Sequence, residues 1–439
     1  MTYEEATEYL FTRTTSFEKQ GAAGYKEGLQ TTLALDEHFE HPHHNFKTIH
    51  VAGTNGKGSV SHTLAALLQG CGYTVGLYTS PHLIDFRERI RINGEMIPED
   101  YVVSFIENEK DFFEPLAPSF FELTTAMAFK YFSEQDVDIA VIEVGLGGRL
   151  DCTNIITPIL SVITNISLDH TQLLGASVEQ IAMEKAGIMK PGVPCVIGEA
   201  TQQTRPVFDA VAKEKGTPLI YAEDEHWLAS ATPLPNGKGW EYETKLGLKF
   251  CGALAGNYQP KNTNTTLCAN YKLMEMGYFC NIELEENKEP IAEELNNAFQ
   301  NVCEMTGLMG RWQTIRQHPT VVCDTGHNVA GWQYLSKQLS EVSCNHMHIV
   351  FGMVDDKDVY GVMSLLPKDA TYYFTKANSK RAFPETSLKV FGDQFGLQSE
   401  CFPSVEAAYK KALASAAGDD FIFIGGSTYI VAEFMKSRV

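Results

Sequence analysis

A chain of 439 residues is longer than one ordinary hydrophobic core organises, so at least two domains are expected. Its 55 acidic and 35 basic residues give a formal net charge of −20, which argues against nucleic acid as a partner, because sequence-independent binding to a phosphate backbone needs the opposite balance. The ten cysteines are too scattered for zinc or disulfide frameworks, the acidic opening MTYEEATEYLFTRTTSF is unlike a secretory leader, and no apolar run nears the roughly 18 residues of a membrane span, so reduced thiols and a soluble, cytoplasmic protein are expected.

The first strong element is FKTIHVA (46–52), an apolar run rich in β-branched residues that predicts a buried strand. It runs into GTNGKGS (53–59), and behind that loop Val60, Leu64, Leu67 and Leu68 share one helical face that stops at Gly70 and Gly72. A glycine loop between a buried strand and a helix lets backbone N–H groups converge on phosphate oxygens, with the helix N-terminus adding partial positive charge. The expected phosphate-binding residues are therefore Gly53, Thr54, Asn55, Gly56, Lys57, Gly58 and Ser59, with Lys57 reaching the terminal phosphates. The fit to the general phosphate-loop signature is partial, since Gly53 comes late and Gly58 displaces the hydroxyl of Ser59 by one place.

Further strands are expected at TVGLYTS, VDIAVIEVG, ILSVITNIS and PCVIG, each separated by helical periodicity, the pattern of a helix-covered parallel sheet. Glu143, ending DIAVIEV, would reach the carboxyl edge of that sheet beside the phosphate loop, a position suited to a metal ligand. The glycines of EVGLGGRLD mimic a dinucleotide fingerprint without its acidic partner, and that reading is rejected. Turn-rich TPLPNGKGWEYETKLGLKF predicts antiparallel hairpins closing the first domain. The acidic run Glu283–Glu294 predicts an exposed helical face, and EHPHHN, with His41, His43 and His44, a solvated loop. Alternation resumes at TVVCDTG, HMHIVFGM, ATYYFTKA and FIFIGGS, a second, smaller α/β domain. The division is expected as 1–305 and 306–439.

The ordered set HVAGTNGKGSV, YTSPHL, EVGLGGRLDCTN, ISLDHTQLLG, EKAGI, GRW, DTGHN and FGMVDDKD resembles the folylpolyglutamate synthase/dihydrofolate synthase family of the Mur ligase superfamily. The resemblance spans Val51 to Ser427. It implies a P-loop parallel-sheet domain followed by a Rossmann-like α/β domain, with ATP and the reacting groups between them. It also implies an ATP-dependent ligase that adds L-glutamate to a pteroate or folate carboxylate through an acyl phosphate.

Residue by residue, the resemblance makes Ser80, Glu143 and His170 magnesium ligands, with two ions expected. It makes Lys57, Lys185 and His170 catalytic, with Lys185 carried as a carbamate. It adds Asn262, Arg311, Asp324 and His327 to the ATP contacts, although Tyr258 stands where the family has histidine. Ser119, Phe121, Asp151 and Cys152 fall on the pterin side. The expected partners are small molecules, and the family default is a monomer. One alternative is a chain with a single synthase activity. A second is a peptidoglycan-type ligase, disfavoured because only 45 residues precede the first predicted strand. The third is a P-loop switch without ligase chemistry, in which YTSPHL, EKAGI and DTGHN would be coincidences.

Overall fold

The apolar runs become the central strands of two largely parallel sheets in the computed structural model, which describes residues 1–14, 26, 28–235, 237–278 and 288–438. The first sheet contains β1 (Lys47–Ala52), β2 (Val75–Tyr78), β3 (Ile90–Ile92), β4 (Glu95–Met96), β5 (Ile139–Glu143), β6 (Leu160–Ile163), β7 (Cys195–Ile197) and β8 (Leu219–Tyr221). They lie in the order β4-β3-β2-β5-β1-β6-β7-β8, and only the β2–β3 and β3–β4 pairs are antiparallel. Strand β1 is central, between β5 and β6, so the loop after it opens at the point from which connections leave to both sides.

Successive side chains of β5 face opposite layers. Ile139 and Val141 join the core under the helix Lys57–Gly70, while Ala140 and Ile142 join the core under the helix Phe120–Glu134. The Lys57–Gly70 helix is buried well beyond the single face that its leucines predict, Ser61, His62 and Thr63 included. Its other side is covered by the helices Gln259–Glu275 and Lys288–Gln300. The turn-rich segment does form an antiparallel sheet, of β9 (Leu228–Pro233), β10 (Trp240–Thr244) and β11 (Lys249–Gly252), but it does not close the domain, because those two helices follow it.

The second sheet contains β12 (Gln313–Gln317), β13 (Thr320–Cys323), β14 (Met347–Phe351), β15 (Thr371–Phe374), β16 (Gln398–Cys401) and β17 (Phe421–Gly425), in the order β12-β13-β17-β14-β15-β16. Only β12 runs antiparallel to its neighbour. Ile349, Phe351 and Phe423 face one helical layer, and Val350, Ile422 and Ile424 face the other. The fold is thus a P-loop parallel-sheet domain followed by a separate, smaller α/β domain, as expected.

Two local expectations change. The histidine loop is not simply solvated: His43 is buried, and His41 and His43 each set Nδ1 on the Asp36 carboxylate, at 2.6 and 2.7 Å. Of the acidic run, residues 283–287 lie outside the described residues. The remainder begins the Lys288–Gln300 helix, whose Ile291 and Leu295 are buried and whose Glu294 accepts from Cys71 Sγ. Among the described residues, no cysteine is in a disulfide and no helix is long and apolar enough to cross a membrane.

Candidate active site

Each glycine of the loop after β1 has a neighbour that a side chain would strike. Gly53, at φ +149°, faces Thr164, and a Cβ would come within 1.9 Å of its Oγ1. Gly56, at φ +85°, faces Asn262 Oδ1, which a Cβ would meet at 2.4 Å. Gly58 faces the guanidinium of Arg311, and a Cβ there would lie 3.0 Å from Nη2. The loop is tied from below, with Thr54 N–H donating to Asn165 O and Asn55 N–H to Asn165 Oδ1, both at 2.9 Å. The helix then begins at Lys57, leaving the N–H groups of Lys57, Gly58 and Ser59 without intrahelical acceptors. Those three N–H groups and the αL glycine before them form a cradle for an anion.

The displaced hydroxyl is held by protein. Gln259 Nε2 donates to Ser59 Oγ at 3.1 Å, and Gln259 Oε1 accepts from Asn262 Nδ2 at 3.0 Å. Ser59, Gln259 and Asn262 are all buried, so the start of the Gln259–Glu275 helix sets the floor of the loop. Sequence reasoning missed Gln259, although it stands three residues before Asn262.

Two lysines converge on one carbonyl. Lys57 Nζ donates to Gly53 O at 3.0 Å and to Thr54 O at 3.2 Å, and Lys185 Nζ donates to the same Gly53 O at 2.9 Å. Lys185 comes from the helix Val178–Ala186 and is buried, contrary to the surface position that its composition alone would suggest. Burial, followed by repulsion from Lys57, brings its amine down to about 7. Glu143, at the end of β5, is also buried, and burial lifts its carboxyl to about 7 despite the nearby Lys57 and Arg311. Its Oε2 has no hydrogen-bond partner, and the backbone N–H of Ser80 bonds the carboxylate. A buried carboxylate oxygen without a donor suits a hard cation.

His170 follows β6 in left-handed conformation, at φ 51°, and burial holds its imidazole neutral, down to about 3. Its neighbour Asp169 does not stand out in the sequence, yet it joins the two domains. Asp169 Oδ1 accepts from the His170 N–H at 2.8 Å and from Lys357 Nζ, and Oδ2 accepts from Asn328 Nδ2 at 3.0 Å and pairs with His327 Nε2 at 3.3 Å. Burial opposes ionisation of Asp169, but His327, Lys357 and His170 together keep its carboxyl well below the usual range. Asn328 also exchanges hydrogen bonds with Asn55 of the phosphate loop, at 3.0 and 3.2 Å.

On the C-terminal side, Arg311 is braced by Gly310 O and Thr325 Oγ1 as it leans over Gly58. Asp324, at the end of β13, is already engaged: Oδ2 accepts from Tyr258 Oη at 2.6 Å and from Trp312 N–H at 2.7 Å, and Oδ1 from Gly326 N–H at 2.8 Å. Tyr258, which replaces the family's histidine, therefore reaches across to Asp324, whose carboxyl is raised by burial.

A cavity of about 670 Å³ lies between the domains, lined at one end by Lys57, His170, Lys185 and Lys357. Its aromatic wall includes Phe11, Phe120 and Phe121, with Phe11 and Phe120 stacked at 4.7 Å. Ser119, Phe121, Asp151 and Cys152 all line it. The ring of Phe121 lies over Gly145, where a Cβ would sit 2.4 Å from the ring edge. Two of the expected pterin contacts are partly committed: Ser119 Oγ caps the Phe120–Glu134 helix, and Asp151 accepts from Leu146 N–H at 2.8 Å and Thr153 N–H at 3.0 Å. Glu143, Asn262, Arg311 and Asp324 stand behind the cavity surface, and Ser80 and His327 stand on it.

Comparison with known proteins matches this geometry to a family. The Mur ligase middle domain fits residues 51–263, and the Mur ligase glutamate ligase domain fits residues 310–428. The chain is 32% identical to a dihydrofolate synthase/folylpolyglutamate synthase of Bacillus subtilis, over 94% of this chain and 95% of that protein. It is also 32% identical to a probable bifunctional folylpolyglutamate synthase/dihydropteroate synthase of Haloferax volcanii, over 99% of this chain but only 50% of that longer relative. Among solved structures, a bifunctional folylpolyglutamate synthase/dihydrofolate synthase with Mn, AMPPNP and L-glutamate bound superposes with TM-score 0.80 at 28% identity, over 100% of this chain and 98% of the other.

Proposed function

The chain belongs to the dihydrofolate synthase/folylpolyglutamate synthase family of Mur ligases, and we propose that it adds L-glutamate, at the expense of ATP, to dihydropteroate, to the γ-carboxyl of folyl-(poly)glutamates, or to both. The observation that carries this reading is the convergence of Lys57 and Lys185 on Gly53 O at the surface of a cavity with an aromatic wall, with Arg311 and buried Glu143 set behind it at Gly58.

Joining a carboxylate to an amine requires an activated acyl group. An oxygen of the acceptor carboxylate attacks the γ-phosphorus of ATP, ADP leaves, and an acyl phosphate remains. The amine of glutamate, having lost a proton, then attacks the acyl carbon, and inorganic phosphate departs. The obstacle in the first step is anion meeting polyanion, so catalysis rests on cations that neutralise both while holding them in line. The N–H groups of Lys57, Gly58 and Ser59 hold phosphate oxygens, the Lys57 ammonium turns from Gly53 O to the terminal phosphates, and Arg311 closes over them from the second domain. Phe121 and the aromatic wall take the pterin or its aminobenzoate arm, beside Asp151 and Cys152.

Ser80, Glu143 and His170 would hold magnesium, which when bound supplies further charge neutralisation on the transferring phosphoryl group. The Lys357 ammonium lies 3.3 Å from His170 Nε2, so a cation taken up by that nitrogen leaves Lys357 on Asp169 alone. Two ions are proposed, the second oriented by Lys185 as a carbamate. An amine brought down to about 7 is about half unprotonated at neutral pH, and the unprotonated form is the one that adds to carbon dioxide. Residues 1–305 and 306–439 are taken as the two domains of a cytoplasmic monomer.

Incubating purified protein with ATP, magnesium, L-glutamate and either dihydropteroate or tetrahydrofolate, and weighing the products by mass spectrometry, tests the reading. Gain of one glutamyl residue on either acceptor supports it, gain on one alone identifies a monofunctional enzyme, and no gain on either refutes it.

A further inference from the structure

Lys357 and Asp169 form a buried ion pair across the domain cleft, their side chains each 6% exposed, and no role in the reaction described above requires it. Removing two charges from water is costly unless every lone pair and proton finds a partner. The carboxylate meets that condition, since both Asp169 oxygens are filled, and three of their four partners, Lys357, Asn328 and His327, come from the second domain.

Each of these partners is itself fixed. Asn328 caps the helix Val329–Glu341 through Oδ1 and reaches Asn55 of the phosphate loop. Lys357 is carried by the turn after β14, where Asp356 pairs with buried Arg381 at 2.6 Å and Asp355 N–H donates to Arg381 O at 2.9 Å. Asp169 is fixed on the first domain, one residue from His170 and bonded to its N–H. A rigid acceptor on one domain therefore meets rigid donors on the other, within reach of the loop that cradles phosphate.

We propose that Asp169 and Lys357 are the positioning pair that docks the C-terminal domain over the phosphate loop in the reacting arrangement. Asp169 acts through Lys357, Asn328 and His327 to hold Arg311 over the phosphate loop. This rests on the ligase reading and deepens it. Misplacing a catalytic group by about 1 Å can cost about a hundredfold in rate, which sets the scale of the effect.

The test compares full-length wild type, Asp169→Asn, Lys357→Met and the double variant, by glutamate-dependent ADP release and by small-angle scattering with AMPPNP and folate bound. A roughly hundredfold loss of kcat is expected in each single variant, with the KM for ATP within about threefold of wild type. The double variant is expected to be no slower than the slower single one, because one contact is lost in all three. The scattering of the variants is expected to show a more extended molecule than liganded wild type. Lys357→Met keeps the side-chain stem and reads the pair if Asp169→Asn does not fold. Wild-type kcat in Lys357→Met, losses that multiply in the double variant, or unchanged scattering would each overturn the proposal. An inactive wild type would refute the ligase reading instead, and the scattering would still report on docking.

Discussion

Lys185 is a site where stability and function are expected to pull in opposite directions, and Lys185→Met separates them. The amine stands at about 7 against an ordinary 10.5, a difference equivalent to about 5 kcal/mol at 1.36 kcal/mol per tenfold. Because the folded value is the lower one, the associated stability is present above pH 10.5, is lost as pH falls toward 7, and is fully lost below 7. Methionine removes that penalty and also removes the bond to Gly53 O, a charged hydrogen bond of about 1.5–3 kcal/mol, although Lys57 still donates to the same oxygen. The net expectation in CO2-free buffer at pH 6.5 is a gain of about 2 kcal/mol, or roughly 5 °C in the melting temperature of the first domain. The gain is expected to shrink as pH rises from 7 toward 10.5, while ligase turnover falls at least about a hundredfold at every pH. Thermal unfolding across pH and glutamate-dependent ADP release read the two effects. A variant less stable than wild type at pH 6.5 would refute the electrostatic reasoning, and one with undiminished turnover would refute the catalytic role and with it the carbamate.

Glu143→Gln carries the opposite sign, since the carboxyl is raised from 4.5 to about 7; the stability it confers is present below pH 4.5 and lost as pH climbs through 7. Without magnesium the variant is expected to gain on wild type between pH 4.5 and 7, levelling near about 3 kcal/mol, and to lose turnover; a gain largest at low pH would contradict this. Gly145→Ala forces a methyl into the Phe121 ring, and overpacking of about 1–3 kcal/mol is expected to raise the KM for the pterin substrate about tenfold or more while sparing that for ATP. Equal effects on both substrates would argue against a pterin wall at Phe121. Tyr258→Phe leaves Asp324 with one buried donor fewer and is expected to lower urea stability by about 1–3 kcal/mol; an unchanged midpoint would mean that the 2.6 Å bond contributes nothing net.

The apolar, β-branched strands are legible in the sequence because burial on both faces leaves few polar interruptions, as in IAVIE and FIFIG. The edge strands β12 and β16 are not, since QTIRQ and QSEC lie at sheet margins, where polar residues face water. The phosphate loop is legible because glycine, lysine and helix periodicity must follow one another along the chain. The cross-cleft set of Asp169, Asn328 and Lys357 is not, although SLDH, DTGHN and FGMVDDKD each stand out as motifs, because nothing in a short motif says which carboxylate meets which ammonium 188 positions away. The same limit applies to His41 and His43. Their residue types suggest a wet loop, and only the position of Asp36, on the preceding helix, shows that they are pinned.

The central claim is that phosphate is transferred to a carboxylate before glutamate is joined to it. An acceptor whose carboxylate carries 18O, turned over with ATP and L-glutamate, tests this directly by mass analysis of the released phosphate. One 18O atom per phosphate is expected, because the acyl phosphate keeps an acceptor oxygen when its C–O bond breaks. Phosphate without 18O, or ADP formed at the same rate without acceptor or glutamate, would contradict the mechanism and favour a P-loop ATPase of another kind.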